Sequence, residues 1–197
     1  VLKITDYLLS NGNTVPAVVI ESDGEMTPDE NIAAPAVDSR ESFIEAVKNS
    51  GIVGLGGAGF PTYVKLDVEP EKIEYLVING AECEPYLTSD YRMMLECPES
   101  IVGGLQVMLS LFPNAKGIIC IEDNKPAAVA VLSELIKNDK NISIKVLKAK
   151  YPQGAERNIV YAATGRKTNF ATLPMDAGCV VQNVDTVCAV YRAVAES

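Results

Sequence analysis

Apolar and polar positions change period along this chain of 197 residues. From Val1 to about Glu25 they alternate, with Val15, Val18 and Ile20 set among polar residues and Asn11-Gly12 ahead of them. That pattern predicts a β-hairpin, the end of a β-rich segment. Residues 22–37 carry Pro28, Pro35, several acids and few large apolar side chains, which reads as a linker. From Asp38 the pattern becomes mixed. Residues 39–49 place Phe43, Ile44 and Val47 on one helical face, with Ser42 and Glu45 suited to a capping box and Gly51 to a C-terminal stop. Buried strands are expected at 73–78, ended by Asn79-Gly80, and at 116–121; an alternating strand at 142–147; and a short one at 179–181. Helices are expected at 99–111, with Ile101, Leu105, Met108 and Leu109 inward, and at 126–136, with Asn124 as N-cap and Val129, Leu132 and Ile136 inward. Two more are expected at 156–163, stopped by Gly165, and at 185–194. The fold class is therefore α/β: a mainly parallel sheet with flanking helices over residues 38–197, after a short β-rich segment and linker over 1–37.

Composition narrows what such a domain can do. Hydrophobic content of 48% is ample for a core, and no apolar run approaches the roughly 20 residues of a membrane span. No signal peptide is recognisable, and the start at Val rather than Met leads us to expect an excised piece of something longer. A net charge of −9 leaves no basic stripe for nucleic acid. The absence of histidine removes Ser-His-Asp and Cys-His catalysis and nearly all His-containing metal sites. Cys83, Cys97, Cys120, Cys179 and Cys188 form no C-x-x-C pair, so reduced thiols, mostly small core residues, are expected, with no iron–sulfur cluster or other metal in this stretch.

Residues 51–65, which begin Gly-Ile-Val-Gly-Leu-Gly-Gly-Ala-Gly-Phe-Pro-Thr, hold five glycines within nine positions. A backbone so short of Cβ atoms lets a ligand approach closely, and its amides can converge on an anion. Gly54, Gly56 and Gly59 satisfy G-x-G-x-x-G, but a helix precedes them where the dinucleotide fingerprint needs a strand, and Pro61 interrupts the helix that should follow. No Gly-Lys-Ser/Thr follows for a phosphate-binding P-loop. A cofactor loop of another kind and a purely structural turn both remain open.

Ligands of parallel α/β sheets sit beyond the carboxyl ends of the strands. Three such ends are polar here, at 79–86, 150–157 and 182–186, and with the glycine loop they are expected to enclose one pocket. Glu82, Glu84 and Glu156 are possible proton handlers without a nucleophile or metal cluster beside them. Aromatic content of 6% and the lack of Trp make a poor sugar platform. Asn and Thr side chains, Lys65 and the glycine loop are equipment for holding a cofactor that carries its own reactivity.

Gly-Leu-Gly-Gly-Ala-Gly-Phe-Pro-Thr at 54–62, Asn-Gly-Ala-Glu-Cys-Glu-Pro-Tyr at 79–86, Lys-Tyr-Pro-Gln-Gly-Ala-Glu at 150–156 and Val-Gln-Asn-Val-Asp-Thr at 181–186, in that order, resemble the RnfC family of the Rnf electron-transport complex. They are more distantly similar to the flavin-bearing, NADH-oxidising subunit of respiratory complex I. The resemblance implies a Rossmann-like domain holding non-covalent FMN, reduced by NADH, in a membrane-associated, ion-translocating oxidoreductase that exchanges electrons with ferredoxin. It implies other subunits of that complex as partners, a peripheral place on the cytoplasmic side of the cell membrane, and 4Fe-4S clusters in the full-length protein on later cysteine motifs. By position, Gly54, Gly56, Gly57 and Gly59 would lie along flavin and NADH, and Phe60 would stack on adenine. Lys65 would meet the FMN phosphate or ribityl chain. Asn79, Glu82 and Cys83 would line the flavin site, Glu84 would meet NADH, and Tyr151, Gly154 and Glu156 would border the two reacting rings. Asn183 and Thr186 would close the phosphate side.

Three departures stand out. Ala81 and Ala155 replace acidic residues of the complex I protein, and Leu66 stands where aromatic residues follow the lysine. A cobalamin reductase sharing this flavin core, a docking scaffold that has lost its cofactor, and an α/β module for another nucleotide are the rival readings.

Overall fold

A computed structural model describes residues 1–25, 27, 30, 33–169 and 171–195. Pro28, part of the expected linker, lies outside the described residues. The chain forms two compact units, Val1–Ala33 and Ala34–Ser197. In the first, β1 (Lys3–Leu8) and β2 (Thr14–Val19) pair antiparallel, with Ile4 opposite Val18 and Leu8 opposite Thr14. Gly12 turns the hairpin at φ 84°, a conformation open to glycine at little steric cost.

The second unit opens with α1 (Arg40–Asn49). Its capping box lies one turn earlier than the sequence pattern predicts. The Ser39 side chain accepts from the Ser42 amide and Ser42 Oγ accepts from the Ser39 amide, so Ser42 closes the box rather than starting it. Gly51, at φ 65°, follows the last turn as expected. After the glycine loop come α2 (Thr62–Leu66), a 3-10 turn at Pro70–Lys72, β3 (Tyr75–Gly80), α3 (Ser89–Glu96) and α4 (Pro98–Leu109). Then follow β4 (Lys116–Glu122), α5 (Pro126–Ile136), β5 (Ile142–Leu147), α6 (Glu156–Thr164), a 3-10 turn at Pro174–Ala177, β6 (Cys179–Asn183) and α7 (Val184–Ala195). The helix α5 is capped differently from expectation. Its N-cap position is Lys125, and the Asn124 Oδ1 accepts from Lys125 Nζ instead of from the helix.

All four strands of the sheet run parallel in the order β5-β4-β3-β6. Side chains alternate between its faces, as strand geometry requires. Leu76, Ile78, Ile119, Ile121 and Val180 join Phe43, Val47, Ile101, Leu105, Met108, Leu132 and Val187 in the larger core cluster. Val77, Ile118, Cys120 and Val181 join Ile159 and Val160 of α6 in the smaller one. The central strands β3 and β4 are buried on both faces, which is why they read as continuous apolar runs. At the α4–α7 contact a Cβ on Gly104 would stand 2.5 Å from the Val187 carbonyl, so glycine sets how closely these helices approach.

Candidate functional site

The strand order places β4 and β6 on opposite sides of β3, so successive connections part company at the carboxyl ends of β3 and β6. Such a parting opens a crevice. A cavity of about 520 Å³ occupies it, lined by Asn79 from β3 and Gln182 and Asn183 from β6, within the usual size range of ligand pockets.

The glycine loop forms one wall. Val53 and Pro61 pair as an isolated bridge, and the Gly54 amide donates to the Phe60 carbonyl at 2.8 Å, closing the loop on itself. Gly57 and Gly59 take φ 114° and 60°, where a side chain is strained. Gly56 is constrained by space instead, since a Cβ there would lie 3.3 Å from Asn183 Cβ. The buried Thr186 anchors the loop tip by accepting from the Leu55 amide at 2.9 Å.

Lys65, on α2, supplies the cation of this lining among the described residues. Its ammonium lies 2.5 Å from Glu156 Oε1, at the start of α6, and also reaches the Val181 carbonyl at 3.3 Å. Asn79 is held at both ends, its Nδ2 donating to the Gly154 carbonyl at 2.9 Å and its Oδ1 accepting from the Ala81 amide. Asn183 is held likewise: Oδ1 accepts from the amides of Asp185 and Thr186 at the start of α7, and Nδ2 donates to Asp90 Oδ2 at 2.8 Å. An amide nitrogen has two hydrogens, so one on each asparagine stays available to a ligand. Gln182 is 2% exposed, and its Nε2 has no partner within the protein.

Phe60, Leu173, Met175 and Val180 give the cavity its apolar surface. Leu173 to Met175 were not anticipated from sequence; a Pro-containing connection without periodicity carries no signal. Arg166 fastens that connection. Its Nη1 donates to the Ala177 carbonyl at 2.7 Å, its Nη2 to Glu74 Oε2 at 2.6 Å, and its guanidinium sits 4.9 Å from the Tyr75 ring centroid. The hydrogen bond from Arg166 holds the Glu74 carboxyl below its ordinary range.

The anticipated single pocket is two. Gly54, Gly56, Phe60, Lys65, Asn79, Gly154, Glu156 and Asn183 line the larger cavity. Glu82, Cys83, Glu84 and Tyr151 line a second, of about 380 Å³, with Glu122, Lys125 and Tyr91. Glu82 to Pro85 line the second cavity beside Glu122 at the end of β4, while the segment 150–156 contributes to both. Gly57, Gly59 and Thr186 line neither, acting through loop shape and anchoring. A hydrogen bond joins the two linings, from the Gly154 amide to Cys83 Sγ at 3.3 Å. In the second cavity Lys125 Nζ pairs with the buried Glu122 carboxylate at 3.2 Å. Glu122 Oε1 and Glu82 Oε2 are buried without a partner. Burial pushes the Asp90 carboxyl up to about 6, opposed by the Asn183 hydrogen bond and reinforced by Glu82 and Asp185. The Cys120 thiol, by burial, is pushed up to about 12, and burial raises Cys179 as well, so both are neutral core groups. No disulfide, no metal-holding cluster and no helix long and apolar enough to cross a membrane occur among the described residues.

These donors fit a flat, partly apolar group bearing an anionic tail. The walls are apolar, unpartnered amide hydrogens suit ring heteroatoms or phosphate oxygens, and a lysine suits a phosphate. Comparison with known proteins agrees. The family model of the Nuo51 FMN-binding domain matches residues 47–192. The chain is 43% identical over 198 residues to the C component of the Na(+)-translocating ferredoxin:NAD(+) oxidoreductase complex of Acetobacterium woodii, covering 98% of this chain and 44% of that protein. It thus spans less than half the length of that curated relative. Among solved structures, the NAD+-reducing NiFe-hydrogenase in its air-oxidized state matches with a TM-score of 0.64 and 25% identity, over 77% of this chain and 30% of that one. The H2-reduced state matches with 0.63 and 24%, over 79% and 30%. On its fold, its crevice and the span of that family model, the chain belongs to the Nuo51 FMN-binding domain family and is kin to the RnfC proteins of Rnf-type electron-transport complexes.

Proposed function

We propose that this chain is the FMN-binding NADH dehydrogenase domain of a membrane-associated, ion-translocating complex of the Rnf type. The observation that carries the reading is the crevice between β3 and β6, where the glycine loop, Lys65 and the unpartnered Gln182 amide converge. The family supplies FMN; NADH as reductant, ferredoxin as distant partner, 4Fe-4S clusters in the full-length protein, neighbouring subunits and the cytoplasmic membrane face are our extension of it. The segment 1–37 is, in this reading, the end of a preceding β-rich domain.

Bound FMN would supply acceptance of a hydride and release of electrons one at a time. The protein's part is binding, orientation and field. Gly54 and Gly56 allow close approach of the ring, Asn79 and Asn183 each offer one fixed amide hydrogen, and Gln182 offers a donor without competition. Lys65 and the remaining Nδ2 hydrogen of Asn183 meet the phosphate. Glu156, and Glu82 and Glu84 in the adjoining cavity, keep the local potential negative and oppose added negative charge. Phe60, 45% exposed, and Tyr151, 68% exposed, stand ready at the surface to cover a dinucleotide.

Anaerobic titration of FMN into the purified chain, followed by NADH, tests the reading. We expect a perturbed flavin spectrum that bleaches with NADH. A perturbed spectrum that NADH leaves unchanged would retain the flavin site and remove the dehydrogenase assignment. An unperturbed spectrum would overturn both and favour the cofactor-free scaffold.

A further inference from the structure

We infer that Asp90, which belongs to none of the four motifs, is a positioning residue for the flavin site, setting the Asn183 side chain beneath the glycine loop. The inference rests on the FMN reading of the larger cavity.

Asp90 lies in the first turn of α3, bonded to one residue of each cavity lining. Its Oδ2 accepts from Asn183 Nδ2 at 2.8 Å, and its own backbone amide donates to Glu82 Oε1 at 2.8 Å. One residue thereby ties the end of β6 to the segment that follows β3. The consequence at Asn183 is geometric. With Oδ1 taken by the amides of Asp185 and Thr186, and one Nδ2 hydrogen taken by Asp90, the side chain cannot exchange its ends. The remaining Nδ2 hydrogen then has a single direction.

The glycine loop lies against the same side chain. The position a Gly56 Cβ would take is only 3.3 Å from Asn183 Cβ, and the Leu55 amide is hung on Thr186, three residues beyond Asn183. A turn of Asn183 toward the loop would collide with it. Asp90 lines neither cavity, yet it fixes the direction of the Asn183 side chain that faces Gly56. Loss of the acceptor leaves Asn183 held only through Oδ1, so its Nδ2 end loses its fixed direction, whereas an amide oxygen in its place preserves the contact. Because Asn183 lies on the phosphate side in the proposed reading, the effect falls on FMN more than on riboflavin, which has no phosphate.

The test compares the whole chain with Asp90→Ala and Asp90→Asn, measuring dissociation constants for FMN and riboflavin by fluorescence quenching and folding by thermal melting. Expected are a loss of tenfold or more in FMN affinity for Asp90→Ala, at most threefold for riboflavin, and FMN affinity within threefold of the unsubstituted chain for Asp90→Asn. Equal weakening toward both ligands, or an alanine variant that binds FMN normally, overturns the inference. If Asp90→Ala does not fold, the side-chain amide resonance of Asn183 in the unsubstituted chain decides. A shift on adding FMN that riboflavin does not cause supports the role, and indifference to FMN overturns it. Failure of the unsubstituted chain to bind FMN identifies a different fault: the cofactor reading itself falls, and the inference with it.

Discussion

Lys65 and Glu156 stand 91 residues apart and meet in the wall of the larger cavity, Nζ 2.5 Å from Oε1. Neither side chain is deeply buried, so water screens the pair and its share of folding stability is below about 1 kcal/mol. Its value lies in fixing the position of a cation. Lys65→Met is expected to weaken FMN binding about tenfold, roughly 1.4 kcal/mol, while leaving the melting temperature nearly unchanged. Fluorescence titration beside a thermal melt separates these effects.

Glu156→Gln keeps the shape, removes a negative charge and releases Lys65. Both changes favour added electrons in the pocket, so the flavin midpoint potential should rise and NADH affinity should change. Spectroelectrochemistry of the variant reads the first directly. An unaltered potential with unaltered NADH affinity would show that Glu156 has no part in setting the field.

Gly154→Ala asks for space the fold does not have. The new Cβ would stand 2.5 Å from the Ala81 carbonyl, a backbone atom that cannot swing aside. The expected cost is about 1–3 kcal/mol of stability, with loss of the Asn79 contact and of FMN binding. Urea unfolding and flavin titration would both register it.

Glu122 and Lys125 make the opposite case, an ion pair enclosed by protein. Lys125→Met leaves a buried carboxylate without its partner, which costs about 3–5 kcal/mol. Adding Glu122→Gln should recover much of that loss. If the single variant melts like the unsubstituted chain, the pair is not isolated from water as described.

Asp90 gives the chain a dependence on pH. Burial raises its carboxyl from the ordinary value of 3.8 to about 6, so the folded state binds the proton more tightly than the unfolded state. This contribution to stability is therefore full below about pH 4 and lost as pH rises through about 6. Asp90→Asn should flatten that part of the profile in urea unfolding measured from about pH 4 to neutrality.

The sheet was legible because β3 and β4 are buried on both faces, and parallel strands of that kind are continuously apolar. The glycine loop was legible because so many glycines have few other uses. Helix α3 was not, since only Met94 of its eight residues is fully buried and little periodicity marks it. The same sparsity hid Asp90. Motif order placed Glu82, Cys83 and Glu84 with Asn79, yet one turn of chain after Gly80 carries them into a separate cavity, and spacing alone does not show in which direction a loop departs. Leu173 to Met175 belong to a connection that Arg166 fastens through Glu74 and Ala177, partners distant in sequence from each other.

The hydrogen bond from the Leu55 amide to Thr186 joins residues 131 positions apart. The crevice it closes is assembled from chain segments that come together only after each β–α excursion has returned to the sheet. Such long-range closure is slow relative to helix formation, so no early folding species should hold the cofactor. Bound flavin would then act as a reporter of complete folding: quenching should appear in the last kinetic phase of refolding. By mass action, FMN at about a hundredfold excess over its dissociation constant would add about 2.7 kcal/mol to the native state. A flavoprotein of this design is therefore most exposed to proteolysis during the interval before its cofactor arrives.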